Sequence, residues 1–302
     1  MLPADYLKRL RQVEVRARVV SEQLMGGRLS SVFKGRGMDF ADVREYVPGD
    51  DVRRIDWNVT ARLRKAYVKR HIEERELVVL LLVDVSASGH FGTVDGAAAQ
   101  ADTKRELAAV LAGALAFSAV REGDRVGLIT FSDRVERYVP PRKTRSHVTR
   151  LLHELLFSAP KSGGTALTAP LNFLNNLFHR PALVFVISDF HDRDEAHWTQ
   201  ALKATNQRHE VVALRLLDPR ETELPDVGVV LIEDAETGEV RELDTGDPVV
   251  RQSYATAAQV RADQFRVVCR QGGIPDLTVR MDEAWPQKLQ RFLDTAARRR
   301  VA

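Results

Sequence analysis

The fold of this 302-residue chain is decided by residues 77–88, which read LVVLLLVDVSAS. Residues 77–85 are almost all Leu and Val, a composition typical of a strand that is buried on both faces of a parallel sheet. The carboxylate and hydroxyl groups that follow are therefore expected at the carboxyl edge of the sheet. Open α/β sheets bind their ligands at that edge.

Strands and helices alternate along the rest of the chain. Further apolar strands are predicted at 125–131, 183–188, 211–217 and 277–281, and helices at 103–118, from 146, at 170–178, around 198–202, at 247–270 and at 284–299. Strands that are separated by helices imply right-handed crossovers, so the predicted class is an α/β, Rossmann-like parallel sheet flanked by helices. Residues 227–233 and 239–243 flank Thr237-Gly238 and predict a small β-hairpin insertion near 227–243.

The N-terminal part has a different pattern. Residues 3–24 show helical spacing of apolar residues, and residues 28–58 are rich in Gly and charged residues, with a turn at Pro48–Asp51. We expect Tyr46 and Trp57 to bury their rings against the domain. The predicted organisation is an N-terminal segment, residues 1–76, packed on a core domain of residues 77–302.

Composition narrows the class of protein. Apolar residues make up 44% and charged residues 29% of the chain, which is ordinary for a folded domain. The net charge of +3 comes from interleaved acidic and basic residues, so nucleic acid is not an expected partner. The single cysteine, Cys269, excludes an internal disulfide. Because no apolar run approaches the roughly 18 residues of a membrane span, we expect a cytoplasmic protein without direct membrane insertion.

Five oxygen-bearing side chains are expected to meet at the sheet edge: Asp84, Ser86, Ser88, Thr165 and Asp189. Asp84 lies at the end of the strand at 77–85, and Ser86 and Ser88 come directly after it. Thr165 closes a Ser-Gly-Gly-Thr loop before a helix, and Asp189 follows the strand at 183–188. Mg²⁺ prefers oxygen ligands and keeps several waters, so this set suits it, with Mn²⁺ and Ca²⁺ as alternatives. A cation would also relieve the like-charge conflict between the two aspartates.

Asp-x-Ser-x-Ser followed by Thr165 and Asp189 resembles the metal-ion-dependent adhesion site of von Willebrand factor A domains. The resemblance implies that Ser86, Ser88 and Thr165 contact the cation, that the two aspartates act directly or through water, and that a partner's Glu or Asp completes the shell. Residues 37–40, 44–51, 53–57 and 61–62 resemble the signature of a bacterial family called domain of unknown function 58. Members of that family often accompany MoxR-type AAA+ ATPases.

The signature contains alternating acidic and basic residues, of which Arg44, Asp50, Asp51 and Arg53 are the candidate contacts with the ATPase. An alternative interpretation of these four is a structural clasp made of charge-assisted hydrogen bonds. A similar alternative exists for the five oxygen donors, which could cap helices and satisfy loop backbone without a cation.

The predicted function is a non-catalytic, metal-dependent protein-binding adaptor that acts with a MoxR-type ATPase in assembling or activating protein complexes. The alternative is a magnesium-dependent phosphoryl hydrolase with Asp84 as its nucleophile. This chain resembles haloacid-dehalogenase-type phosphatases in having an aspartate at the end of the strand. Those enzymes carry the motif Asp-x-Asp there, whereas this chain has Ser86 in place of the second aspartate. A serine-hydrolase elbow, zinc-type His spacing and a phosphate-binding P-loop are all missing from the sequence.

Overall fold

The structure is a computed structural model that describes residues 4–24, 43–52, 55–69, 76–90, 103–160, 164–192, 194–233 and 239–301. The first part of the family signature, Arg53 and the Thr237-Gly238 turn lie outside these ranges. Among the helices in the described ranges, none combines the length and the apolar character needed to cross a membrane.

The strands are β1 (Val43–Glu45), β2 (Tyr67–Lys69), β3 (Val78–Asp84), β4 (Arg125–Phe131), β5 (Val135–Arg142), β6 (Leu183–Ser188), β7 (Glu210–Leu217), β8 (Val229–Glu233), β9 (Val240–Asp244) and β10 (Asp276–Arg280). The helices are α1 (Ala4–Gln23), α2 (Trp57–Leu63), α3 (Lys104–Arg121), α4 (Arg145–Phe157), α5 (Thr168–Leu177), α6 (Glu195–Arg208), α7 (Pro248–Gly272) and α8 (Trp285–Val301). Short 3-10 turns span Ala87–His90 and Pro219–Glu221.

A six-stranded sheet in the order β10-β7-β6-β3-β4-β5 forms the centre of the molecule. The strands β10, β7, β6, β3 and β4 pair in parallel. Alternate residues of β3 enter two separate apolar clusters, Val79 and Leu81 on one face and Leu80 and Leu82 on the other. This two-sided burial explains the unbroken apolar run of β3 and confirms the predicted α/β class with helices on both faces.

The sheet also has an antiparallel edge, which the sequence prediction of a wholly parallel sheet lacked. Strand β5 pairs antiparallel with β4, with register irregularities between them. It contains Pro140 and Pro141, which lack a backbone N–H and are found in sheets mainly at edges and bulges. The prolines and the many polar residues of β5 explain why the strand could not be predicted from apolar periodicity.

Helix α3 lies in the middle of the larger apolar cluster, and its side chains from Lys104 to Ala119 are buried. The helix begins with half of a capping box, because the Thr103 hydroxyl accepts a hydrogen bond from the Glu106 N–H at 3.2 Å. Helix α7 begins with Pro248 after the N-terminal cap Asp247. Gly273 caps its C-terminus, with a φ of 62° in the left-handed region that glycine adopts freely.

The N-terminal helix α1 packs on the core, since Val13 and Ala17 are fully buried in the same cluster as α3. The expectation for Trp57 was wrong, because its residue is 67% exposed. It is the first residue of the short helix α2, which lies between β1 and β2 in the chain; these two strands form a small antiparallel sheet of their own. The division at residues 76 and 77 stays a prediction.

The predicted hairpin insertion is confirmed. Strands β8 and β9 pair antiparallel in a separate two-stranded sheet, with Leu231 opposite Glu242. The hairpin is inserted between the carboxyl end of β7 and the start of α7. It therefore leaves the domain from the edge of the sheet at which β3 and β6 also end.

We predict that Gly113→Ala destabilises the protein although alanine is the better helix former. A Cβ at Gly113 would lie 2.8 Å from Leu152 Cδ2 and 2.9 Å from Ala17 Cβ, both in buried residues. The helix-propensity gain of about 1 kcal/mol is smaller than the 1–3 kcal/mol that overpacking typically costs. Denaturant unfolding should show a net loss of about 1 kcal/mol, which Ala17→Gly in the same chain partly restores; a gain in stability would contradict this packing.

Candidate metal-binding site

The carboxyl ends of two neighbouring strands bring two aspartates together. Asp84 ends β3 and Asp189 directly follows β6, and these strands pair in parallel with Val83 opposite Ile187. The Ser188 hydroxyl donates a hydrogen bond to Asp84 Oδ2 at 2.7 Å. Asp189 is 4% exposed. Parallel pairing thus places two carboxylates side by side at the edge where the sheet meets solvent.

The turn after β3 places two hydroxyl groups beside Asp84. The Ser86 N–H donates to Asp84 Oδ1 at 2.9 Å, and the hydroxyl oxygens of Ser86 and Ser88 are 3.0 Å apart. Ser86 is buried, with 1% of its surface exposed. Asp84, Ser86 and Ser88 therefore form one hydrogen-bonded group.

The loop that carries Thr165 spans the end of β3. On one side of Thr165 the Ala166 N–H donates to the carbonyl of Ser132, which follows β4, at 2.8 Å. On the other side the Leu167 N–H donates to Asp192 Oδ2, beyond β6, at 2.8 Å. Because β3 lies between β4 and β6 in the sheet, these two anchors hold the loop across the edge where Asp84 ends.

The Thr165 hydroxyl is buried and has no hydrogen-bond partner in the structure. A buried hydroxyl without a partner is unfavourable by about 1–3 kcal/mol. The structural alternative, in which the five side chains only satisfy loop backbone, therefore does not account for Thr165. It does account for part of the role of the two aspartates, since Asp84 accepts from the Ser86 N–H and Asp189 Oδ1 accepts from the His191 N–H at 3.2 Å.

The two carboxylates have opposite pKa shifts. Burial, together with the nearby charge of Asp189, raises the pKa of Asp84 to about 7, against the partial compensation of its hydrogen bonds from Ser188 and Ser86. Burial alone would also raise the pKa of Asp189, but the ammonium of Lys104 and the ring of His191 outweigh it and hold that pKa well below its ordinary value. Near neutral pH Asp189 is therefore ionised while Asp84 is only partly ionised, which reduces the repulsion between the two carboxylates.

Lys104 is the residue of this site that sequence reasoning missed. Its Nζ lies 2.7 Å from Asp189 Oδ2 and 2.7 Å from Glu221 Oε1, and its side chain is only 4% exposed. A signal for it was present in the sequence. Lys104 opens a helix just after the Thr103 cap, and a cation is unfavourable at a helix N-terminus unless a carboxylate compensates for it.

The donor set suits a hard cation that retains water. Within the described ranges no three His, Cys, Asp or Glu side chains come together as a metal-binding group. A cation at this edge would therefore depend on the hydroxyl oxygens of Ser86, Ser88 and Thr165 besides the two aspartates. Hydroxyls, few carboxylates and coordinated water are a ligand set compatible with Mg²⁺.

The signature residues lie elsewhere in the fold. Arg44 belongs to β1, with Val68 of β2 opposite it. Asp50 Oδ2 accepts a hydrogen bond from the Val47 N–H at 3.0 Å, a contact that stabilises the turn and fits the clasp interpretation. Asp51 is exposed. Arg53 lies outside the described residues, so the docking interpretation of these four residues stays a prediction.

A family model described as "Protein of unknown function DUF58" matches residues 42–264. The chain belongs to the DUF58 family. Curated relatives of this DUF58 protein include uncharacterized proteins of Mycobacterium tuberculosis and Mycobacterium bovis. Each is 37% identical over 296 residues, which cover 97% of this chain and 90% of the relative.

Solved structures similar to this DUF58 protein include BatB from Bacteroides thetaiotaomicron, with 18% identity and a TM-score of 0.47 over 74% of this chain and 99% of BatB. An aerotolerance-related membrane protein from Bacteroides fragilis has 18% identity and a TM-score of 0.48, with the same coverage. The SpRpn10 von Willebrand factor A domain has 11% identity and a TM-score of 0.38 over 73% of this chain and 95% of that domain. The match of the family model over residues 42–264 confirms the predicted family.

We predict that Asp84 makes the metal-free DUF58 protein less stable as the pH rises from about 4 to about 7. Its pKa is near 3.8 when unfolded and about 7 when folded, so in this window the folded state binds more protons and the free energy of unfolding falls. The loss over this range should be about 3 kcal/mol, since each pKa unit corresponds to about 1.4 kcal/mol and part of the shift is lost only above pH 7. Denaturant unfolding in chelator at several pH values measures it.

The control for this measurement is Asp84→Asn, which keeps the size of the side chain and cannot ionise. The difference between the two proteins isolates Asp84 from the other groups that titrate in this range. Parallel pH profiles for wild type and Asp84→Asn would contradict the raised pKa.

Proposed function

We propose that this protein is a non-catalytic, metal-dependent protein-binding adaptor. Ser86, Ser88 and Thr165 supply hydroxyl ligands to a divalent cation, and Asp84 and Asp189 supply its negative charge directly or through water. The cation is Mg²⁺, with Mn²⁺ or Ca²⁺ as alternatives. When bound, it offers an open coordination position to an acidic side chain of a partner protein.

The observation that carries this proposal is the orphaned Thr165 hydroxyl on a loop anchored to both neighbours of β3. Buried polar atoms normally have a hydrogen-bond partner, and no group of the described protein provides one for this hydroxyl. A cation would provide that partner and would also lie between two carboxylates that repel each other. One ligand thus resolves two separate unfavourable features.

The same edge offers room for a macromolecular partner. The hairpin leaves the domain there, and one of its faces carries Val229, Leu231 and Val240, with 59%, 73% and 55% of their surfaces exposed, together with Glu242 and Asp244. Exposed apolar side chains that cluster on one face are typical of protein interaction sites. We propose that the partner is a MoxR-type AAA+ ATPase, the association that the family resemblance implies, and that it contacts both the cation and this face.

We predict that Thr165→Val separates metal binding from folding. The substitution removes a hydroxyl that has no partner and keeps the shape of the side chain, so the metal-free protein should be as stable as wild type or about 1 kcal/mol more stable. The rise in melting temperature that Mg²⁺ gives wild type should nevertheless be lost. Differential scanning fluorimetry with and without Mg²⁺ measures both quantities.

The matched control is Thr256→Ala on the exposed side of α7, where the hydroxyl only bonds the Gln252 carbonyl of its own helix. This variant should keep the full response to Mg²⁺. A Thr165→Val protein that is destabilised in chelator but still responds to Mg²⁺ would support the structural interpretation of the five donors instead.

We predict that the MoxR-type ATPase of the same genome, purified separately, is retained by immobilised protein in Mg²⁺ and released by chelator. Asp84→Ala should lose this retention, because it removes the carboxylate between Ser86 and Ser188. Biolayer interferometry measures both. Equal retention by wild type and Asp84→Ala would contradict the proposal, and phosphoester turnover that disappears in Asp84→Asn would favour the hydrolase alternative.

A further inference from the structure

The side chain of Lys104 lies between two carboxylates that come from different parts of the fold. Asp189 follows β6, and Glu221 belongs to the 3-10 turn that leads from β7 toward the hairpin. Lys104 Nζ is 2.7 Å from an oxygen of each. The three side chains are 4%, 3% and 13% exposed, so this is a buried cluster in which every charge requires compensation.

The ammonium and a divalent cation would interact with the same carboxylate. Asp189 Oδ2 accepts from Lys104 at 2.7 Å and Asp189 Oδ1 accepts from the backbone N–H of His191, so the ammonium already neutralises the carboxylate that a cation beside Asp84 would approach. A cation that binds beside Asp84 and Asp189 would also lie close to the ammonium, and two positive charges repel strongly in a site with little water. Lys104 and the metal are therefore competitors for Asp189.

We propose that Lys104 is a resident cation of this site, which neutralises Asp189 in the metal-free protein and is transferred to Glu221 when a divalent cation binds. This inference rests on the metal-binding function proposed above. Glu221 already contacts the ammonium, so Lys104 needs only to release one of two carboxylates and does not become buried without a partner. Lys104 thereby lowers the affinity for the metal and connects metal binding to the base of the hairpin.

Two substitutions should change the affinity for Mg²⁺ in opposite directions. Lys104→Met removes the competing charge and keeps an unbranched side chain, so the dissociation constant for Mg²⁺ should fall at least about tenfold. Glu221→Gln removes the carboxylate that receives the ammonium, so Lys104 stays on Asp189 and the dissociation constant should rise. Isothermal titration calorimetry with MgCl₂ measures both.

Stability in chelator supplies a second measurement. Lys104→Met removes the ammonium that lies 2.7 Å from both Asp189 and Glu221 and leaves Arg215 as the buried cation that still acts on both, so its melting temperature should fall below that of wild type by at least about 5 °C. Saturating Mg²⁺ should restore most of that loss, since the metal replaces the missing charge at Asp189. The matched control is Lys203→Met in the second half of α6, where the ammonium bonds only Gln271 near the end of α7; it should leave both quantities unchanged.

The outcomes separate this inference from the proposed function. Wild type that binds Mg²⁺ while Lys104→Met binds it equally or more weakly would overturn the role of Lys104 and leave the metal site standing. A shift of Lys104→Met and Glu221→Gln in the same direction would also overturn it, because that would indicate a general loosening of the cluster. Absence of binding in wild type and in all three variants would overturn both proposals.

Discussion

Two like charges at the ends of neighbouring buried strands are the constraint on which this site depends. Asp84 ends β3 and Asp189 directly follows β6, and both strands are buried on their two faces, so neither face could accommodate a carboxylate. The charges must therefore be compensated at the sheet edge. The structure shows three means of compensation there: hydrogen bonds from Ser188 and Ser86 to Asp84, the ion pair of Lys104 with Asp189, and a pKa of Asp84 shifted toward the neutral form.

These three means do not satisfy every buried polar atom of the site. Thr165 retains a buried hydroxyl without a partner, on a loop that β4 and β6 hold in place from either side. An arrangement optimised for stability alone would fill this position with an apolar group, because a buried polar atom without a hydrogen bond is unfavourable. Local departures of this kind from a well-satisfied interior are characteristic of functional sites. The adaptor proposal assigns that departure to the binding of a cation and, through it, of a partner.

The same edge connects the site to the rest of the molecule. Helix α3 begins there with Lys104 and then runs through the larger apolar cluster, in which α1 also packs. The turn at Pro219–Glu221 contains Glu221, the second carboxylate that contacts Lys104. It leads to the hairpin, which has exposed apolar side chains. The ammonium of Lys104 therefore connects Asp189 to Glu221, in the turn that leads to the hairpin.

The sequence by itself determined the sheet and the order of the oxygen donors. Strands β4 and β6 were predicted with their observed bounds, because two-sided burial requires unbroken apolar runs that are visible without a structure. Only the tertiary structure decided the antiparallel β5, the exposure of Trp57 and the ion pairs of Lys104. A proline-containing edge strand is defined by the neighbour it pairs with, and the burial of a ring or an ammonium depends on groups distant in the chain: Lys104 meets carboxylates 85 and 117 residues further on.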